Sequence, residues 1–501
     1  MDNLNRKMAT GGAWMIGAKW FVRGLGIIST LILVRFIPPE SYGLVAMATV
    51  FFGLLRTMGD LGLDSALIYT RNAEAHLYDT AWTLNLVIGL AEAVLLWLIA
   101  EPVAAFFNEP RLVPITYVLA VGFVINGVRN ARTVDFRREL DFRREFLYLS
   151  SQKVITFAVT VPLAVYLRDH WALIIGIVVG KLGECVLGYT MKPHRVRFSL
   201  RGCQELVAFS KWVYLTNLMR FFTSRSPELI LGRVAGSSSI GVYVVAAQVA
   251  SVATFELFRP INRALFPAFS TISNDLKALG RTYLDVSSML TFVVVPAGIG
   301  IAAVAATLVP LALGPKWLGA IPIIELVGTA GAIRGTLTAD VPVFLSLGKP
   351  RVQTYLSALW LVVFFPLAYF LGKQQGDLGL ATAFLFAEIL IFPARLARLL
   401  GVLKLKLSQW LRSIFRPVVA AAIMAAVVAQ VQAQLPLDTD TTAGSLALML
   451  LAQVLAGAVA YAVAAYALWA MSGFPPGAES RFARILTSRL RPNRPSGADR
   501  S

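Results

Sequence analysis

Lys19 and Arg23 stand four residues apart inside one apolar stretch, and Arg220 and Arg225 stand inside another. A cation at membrane depth costs about 2.5–3.5 kcal/mol on insertion scales, so it faces protein or water rather than lipid. Such groups mark places where an anion can be held. The i, i+4 spacing puts Lys19 and Arg23 on one face of a helix. Glu92, Glu325 and Glu388 are their acidic counterparts. A carboxylate at that depth can exchange protons or bind a cation, and so couple movement to a gradient. Each set also has a plainer reading. Long cations snorkel to an interface or pair with a neighbour, as the three-residue spacing of Arg225 and Glu228 suggests.

The elements that carry these charges are set by composition. Of 501 residues, 57% are hydrophobic and 15% charged, and the mean hydropathy is +0.68. A soluble protein has about a quarter of its residues charged. A bilayer core needs about 20 apolar residues per helix. Such stretches lie near 9–34, 43–60, 81–100, 112–129, 150–167 and 171–190, then near 208–231, 240–258, 285–308, 319–345, 353–372 and 378–397. Two more fall near 414–432 and 444–470. The expected fold is therefore an all-α polytopic membrane protein of about fourteen transmembrane helices. The tail 473–501 is basic, rich in Pro, Arg and Ser, and expected to be disordered.

The net charge of +18 is distributed by topology. Arg132, Arg137, Arg138, Arg143 and Arg144 follow the fourth stretch, and Lys192, Arg195, Arg197 and Arg201 follow the sixth. Connections after odd-numbered stretches are poor in cations. By the positive-inside rule both termini are cytoplasmic. That placement explains the charge without nucleic acid. Cys185 and Cys203 are too few for a disulfide framework. His76, His170 and His194 all lie at connections, with no metal-ligand or hydrolase spacing. No enzyme chemistry, metal or cofactor is expected. Trp20, Trp97, Trp171, Trp317, Trp360 and Trp469 fall near stretch ends and are expected in the interfacial aromatic belt.

The chain is duplicated. Leu31-Ile32-Leu33-Val34-Arg35 returns as Leu229-Ile230-Leu231-Gly232-Arg233, 198 positions later (229 − 31). The same register pairs Ser41 with Ser239, Gly43 with Gly241, Ala48 with Ala246, and Ala66-Leu67 with Ala264-Leu265. Six helices per unit is even, so the repeat is parallel. The expected organisation is a six-helix lobe over 1–200, a second over 201–405, and two additional helices over 406–472. Arg23 falls beside residue 221 in this register, one step from Arg220, so cations from matching helices converge on a central cleft. Arg35 and Arg233 are expected to cap helix C-termini.

Several segments match known landmarks. Arg35-Phe36-Ile37-Pro38-Pro39-Glu40-Ser41-Tyr42-Gly43 resembles the R-x-L-x-P-E-x-Y-G segment that ends the first helix of polysaccharide-export flippases. Arg138-Glu139-Leu140-Asp141-Phe142 resembles their basic loop after the fourth helix. Phe266-Pro267-Ala268-Phe269-Ser270, Gly314-Pro315-Lys316-Trp317 and Gly348-Lys349-Pro350 are similar to further landmarks of the second half. Over residues 10 to about 430 the chain resembles the Wzx-type flippases of the multidrug/oligosaccharidyl-lipid/polysaccharide superfamily.

The resemblance implies two six-helix lobes in a V, opening alternately to the two sides of a bacterial inner membrane. It implies a substrate of undecaprenyl-diphosphate-linked oligosaccharide for lipopolysaccharide or exopolysaccharide synthesis. A polysaccharide polymerase and a chain-length regulator are the implied partners, beside membrane lipids. Lys19, Arg23, Arg220 and, less directly, Arg225 are then expected to hold the diphosphate, whose desolvation needs paired cations. A peptidoglycan-precursor lipid flippase and a drug/cation antiporter of the same superfamily remain the alternatives, with a polytopic polymerase or acyltransferase behind them.

Overall fold

The computed structural model describes residues 2–69, 74–139, 141–201, 210–256, 259–434 and 442–474. Among these there are helices and connections but no strand. The first half holds α1 (Asp2–Phe36), α2 (Pro39–Gly59), α3 (Leu63–Tyr69), α4 (Ala75–Leu98), α5 (Ala100–Phe107), α6 (Leu112–Gly127), α7 (Asp135–Arg138), α8 (Phe142–Leu167) and α9 (His170–Met191). Then come α10 (Ser210–Ser251), α11 (Arg259–Thr271), α12 (Leu276–Ala303), α13 (Ala305–Ala312), α14 (Ala320–Gly335), α15 (Asp340–Ser346), α16 (Pro350–Leu403), α17 (Leu407–Gln434) and α18 (Ala443–Met471). Ten described helical segments are long and apolar enough to cross a membrane, or eleven when Leu112–Gly127 and Ala131–Arg138, bent by 69°, count as one. The chain is all-α and polytopic, as composition required. The end of the tail, 475–501, lies outside the described residues.

Local sequence sets the helix boundaries. α2 starts with Pro39 at its first position, where the missing N–H costs nothing, and Glu40 in its first turn complements the helix dipole. Asp169 caps α9 by accepting from the His170 backbone N–H. Two long helices are interrupted by glycine. α10 breaks at Gly236 (φ 80°, ψ −177°), and α16 breaks at Gly376 (φ 59°, ψ −128°). Both conformations lie where a Cβ is strained, so glycine is required. Gly236 stands 198 positions after Pro38 (236 − 38), the residue between α1 and α2.

The described chain forms two compact units, Met1–Val244 with Gly372–Asp377, and Val245–Leu371 with Leu378–Ser501. In the first, α8 and α9 pack through small residues. A Cβ on Gly176 would lie 1.8 Å from Thr160 Oγ1, and one on Gly180 would lie 2.0 Å from Thr156 Oγ1. In lipid, where burial of apolar surface gives no net drive, such close backbone approach is how helices gain packing energy. In the second unit a core built around Phe269, Tyr283, Val294, Phe344 and Trp410 fills the space among α11, α12, α15 and α17. α18 is fixed to α12 where Tyr461 Oη donates to the Phe292 carbonyl at 2.7 Å.

The aromatic belt needs correction at two positions. Trp20 and Trp97 are more than half exposed, but Trp317 and Trp360 are buried. Trp360 stacks on Phe364 with ring centroids 4.6 Å apart and 11° between planes. Packing against neighbouring protein outweighs the interface for a ring with such partners.

Candidate functional site

Among the expected anion-binding cations, Arg23 is half-buried on α1. The side chains of Lys19 and Arg220 lie outside the described residues, although the helices that carry them are continuous. Arg225 Nη1 donates to Glu228 Oε1 at 3.0 Å, the neighbour its spacing pointed to. Arg35 lies in the last turn of α1 and Arg233 three residues before the break of α10 at Gly236, so both stand at helix C-termini, and Arg233 also reaches another helix. With the Asn108 amide oxygen turned toward it, Arg233 Nη1 donates at 2.8 Å. Asn108 is the left-handed residue that closes α5.

The three carboxylates fall in three environments. Glu325 is exposed on α14. Glu92 is buried on α4 and packs against Gly59, where a Cβ would meet Glu92 Oε1 at 2.0 Å. Lys181 and Arg56 act on it electrostatically, but it joins no ion pair among the described residues. The Lys181 ammonium instead lies 5.1 Å from the centre of the Phe52 ring, a cation–π arrangement. Glu388 is buried within a network. Arg334 Nη1 donates to its Oε1 at 3.2 Å, Arg395 Nη1 lies 3.8 Å from its Oε2, and Arg395 Nε lies 3.6 Å from Asp340 Oδ2.

Arg334, Asp340 and Arg395 were not among the sequence candidates, and a second repeat signal marks them. Arg129-x-x-x-Thr133-x-Asp135 returns as Arg334-x-x-x-Thr338-x-Asp340, 205 positions later (334 − 129). The local geometry returns too. Thr133 Oγ1 donates to the Asn130 carbonyl at 2.9 Å, and Thr338 Oγ1 donates to the Gly335 carbonyl at 2.9 Å. Each aspartate has a cation at 3.6 Å, Lys192 Nζ just after α9 for Asp135 and Arg395 Nε within the second arm of α16 for Asp340. Arg129 pairs with Asp64 at 3.1 Å, with Glu184 only a weaker electrostatic neighbour, where Arg334 holds Glu388. The register differs from 198 because the second-half helices are longer, 28 residues in α12 against 24 in α4.

Helix α4 docks the segment after α9. His194 Nε2 lies 3.0 Å from Asp79 Oδ1, and the Arg197 backbone N–H donates to the same oxygen at 3.3 Å. Thr80 Oγ1 donates to the Arg201 carbonyl at 2.8 Å. Burial pushes the His194 imidazole below its usual value, and Arg132 pushes the same way.

On the opposite side, the Pro38–Gly43 segment is a hub. Glu40 Oε1 accepts from Arg111 Nη2 at 2.6 Å, and Ser41 Oγ donates to Asp169 Oδ1 at 3.0 Å. Arg111 Nε also donates to Glu109 Oε1 at 2.7 Å, which holds the Glu109 carboxyl below the usual carboxylate range; a Ser237 hydroxyl hydrogen bond adds to this.

Comparison with known proteins agrees with this architecture. A family described as polysaccharide biosynthesis protein matches residues 32–322. Lipopolysaccharide biosynthesis protein WzxC of Escherichia coli (strain K12) is 25% identical over 392 residues, covering 77% of this chain and 80% of WzxC. Succinoglycan biosynthesis transport protein ExoT of Rhizobium meliloti (strain 1021) is 24% identical over 355 residues, 70% of this chain and 71% of ExoT. The solved lipid II flippase MurJ, in an inward closed conformation, superposes with a TM-score of 0.75 over 91% of this chain and 98% of MurJ, at 13% identity. At that identity the likeness is one of fold.

Proposed function

The chain belongs to the polysaccharide biosynthesis protein family, and from that premise we propose that it is a transporter that flips lipid-linked oligosaccharide repeat units across the bacterial inner membrane. What carries the reading is one coincidence. A chain of a polysaccharide-building family has, over nine-tenths of its length, the fold of a flippase for a lipid-linked precursor. The substrate is an undecaprenyl-diphosphate-linked oligosaccharide, and its product passes to a polymerase and a chain-length regulator outside the membrane. Both termini are cytoplasmic.

The mechanism is alternating access by two repeat-related lobes with two further helices, fourteen spans in all. Helix α16 would be about 80 Å long if straight, far more than a bilayer core of about 30 Å, so its break at Gly376 divides it into two passes. The break at Gly236 does the same for α10. The diphosphate is held by Arg23 and Arg220, with Lys19 beside them; Arg225, engaged by Glu228, contributes at the edge. Among the carboxylate candidates Glu92, Glu325 and Glu388, gradient coupling belongs to Glu92. Glu92 stands first, because it is buried without the two guanidinium partners that occupy Glu388.

A deletion strain tests this. It should accumulate the lipid-linked repeat unit on the cytoplasmic leaflet and lose surface polymer, and the intact gene should restore both. Normal polymer in the deletion strain would reject the reading, and rescue of cells starved of peptidoglycan-precursor flipping would replace it with that alternative.

A further inference from the structure

The 198-residue register is also a physical contact. A Cβ on Gly43 would lie 1.7 Å from the Ser237 carbonyl oxygen, and one on Gly241 would lie 1.8 Å from the Pro39 carbonyl oxygen. Pro39 and Ser237 are themselves 198 positions apart (237 − 39). The two contacts are therefore one contact made twice, as a local two-fold relation between α2 and the arm of α10 beyond Gly236 requires. Backbone meets backbone here with no room for any side chain.

The connection between α5 and α6 spans this crossing. Phe107 packs on Gly232, where a Cβ would meet Phe107 Cε1 at 2.6 Å. Asn108 accepts from Arg233, and Glu109 accepts from Ser237. Arg111 then joins Glu109 to Glu40. A polar chain thus runs from Ser237, on one side of the crossing, through Glu109 and Arg111 to Glu40, beside Pro39 on the other. It ends one residue from Pro39, the residue that the duplication equates with Ser237.

We propose that residues 107–111 are a latch that holds the Gly43–Gly241 crossing shut, and that the latch releases when the transporter opens on the side away from its basic connections. The proposal deepens the transport reading and rests on it for the direction of opening. Two features fit a contact that must part. The crossing is a point of backbone contact rather than an interdigitated seam. Its polar bridge is solvent-reached, with Arg111 and Glu40 each about half exposed, so its charges are rehydrated on release rather than stranded.

The test uses the full-length protein in cells, with Cys185 and Cys203 replaced by Ser and a single reporter, Ile240→Cys. Ile240 is fully buried and touches the Gly43 position. A membrane-impermeant maleimide applied from outside should label the reporter weakly. Adding Glu109→Gln and Arg111→Met should raise labelling about fivefold or more, the population change expected when a kcal/mol or more of closing energy is lost. A second variant, Gly43→Val, wedges the crossing and should raise labelling with the latch intact. Unchanged labelling on Glu109→Gln and Arg111→Met, with the protein in the membrane at normal abundance and the Gly43→Val wedge raising it, overturns the latch. Labelling needs no substrate, so a failed export assay with raised labelling counts against the transport reading and not against the latch.

Discussion

Arg334 donates to Glu388 across 3.2 Å while Arg395 approaches the other oxygen of the same carboxylate at 3.8 Å. Asp340 lies 3.6 Å from Arg395, so two guanidinium and two carboxyl groups gather where the end of α14 and the start of α15 meet the second arm of α16. Its counterpart around Arg129, Asp135, Glu184 and Lys192 has the same order along the chain. There Arg129 pairs with Asp64 at 3.1 Å and Lys192 bridges Asp135 and Glu139, so what recurs is the order of the charges and the threonine caps, not the pairing.

Replacing Glu388 by Gln therefore leaves two guanidinium groups facing each other. Purified E388Q should lose about 3 kcal/mol, the loss typical of a broken buried pair, seen as a lower Tm in detergent. Its transport should keep the wild-type dependence on an imposed proton gradient, whereas E92Q should lose that dependence. The reverse pattern would move coupling to the second unit.

Arg23→Gln combined with Arg220→Gln should abolish polymer export without removing the protein from the membrane. Either substitution alone should leave a reduced rate, since one guanidinium still meets the diphosphate. The quantities to compare are surface polymer and membrane abundance. Normal export by the double variant removes both residues from the site.

The segment after α9 should loosen in acid through His194. Its folded value lies below that of the unfolded chain, because burial and Arg132 outweigh Asp79 and Asp135. The neutral form is thus the one the fold prefers. The contribution is complete above about pH 6.5, the unfolded value, and is lost as pH falls through the lower folded value. His194→Gln should flatten the pH dependence of thermal unfolding in that window; an unchanged slope would assign it to other groups.

Helix α9 should tolerate no larger residue where it meets α8. Gly180→Val puts a branched side chain onto Thr156, whose Oγ1 already stands 2.0 Å from an added Cβ. Membrane abundance should fall several-fold, and Thr156→Ala should restore part of it. Full abundance of the single variant would show that the two helices can separate at no cost.

Much of this protein could be read from its residues in order. Hydropathy determined the helices, the alternation of cations their expected orientation, and the recurrence of Arg35, Ser41 and Gly43 at Arg233, Ser239 and Gly241 the duplication. These properties depend on composition and periodicity along the chain, which the sequence states directly. The Arg225–Glu228 pair was legible for the same reason, being three residues apart on one helix. What needed the tertiary structure were contacts between distant positions. Glu388 looked like a lone carboxylate until Arg334 and Arg395 came within reach, and Trp360 looked interfacial until Phe384, on the other arm of α16, came within 5.9 Å of its ring. Gly43 and Gly241 were only matching letters until each was found against the backbone opposite the other. Which charges neutralise one another, and which glycines are points of contact, depends on how helices cross, and no local pattern encodes that crossing.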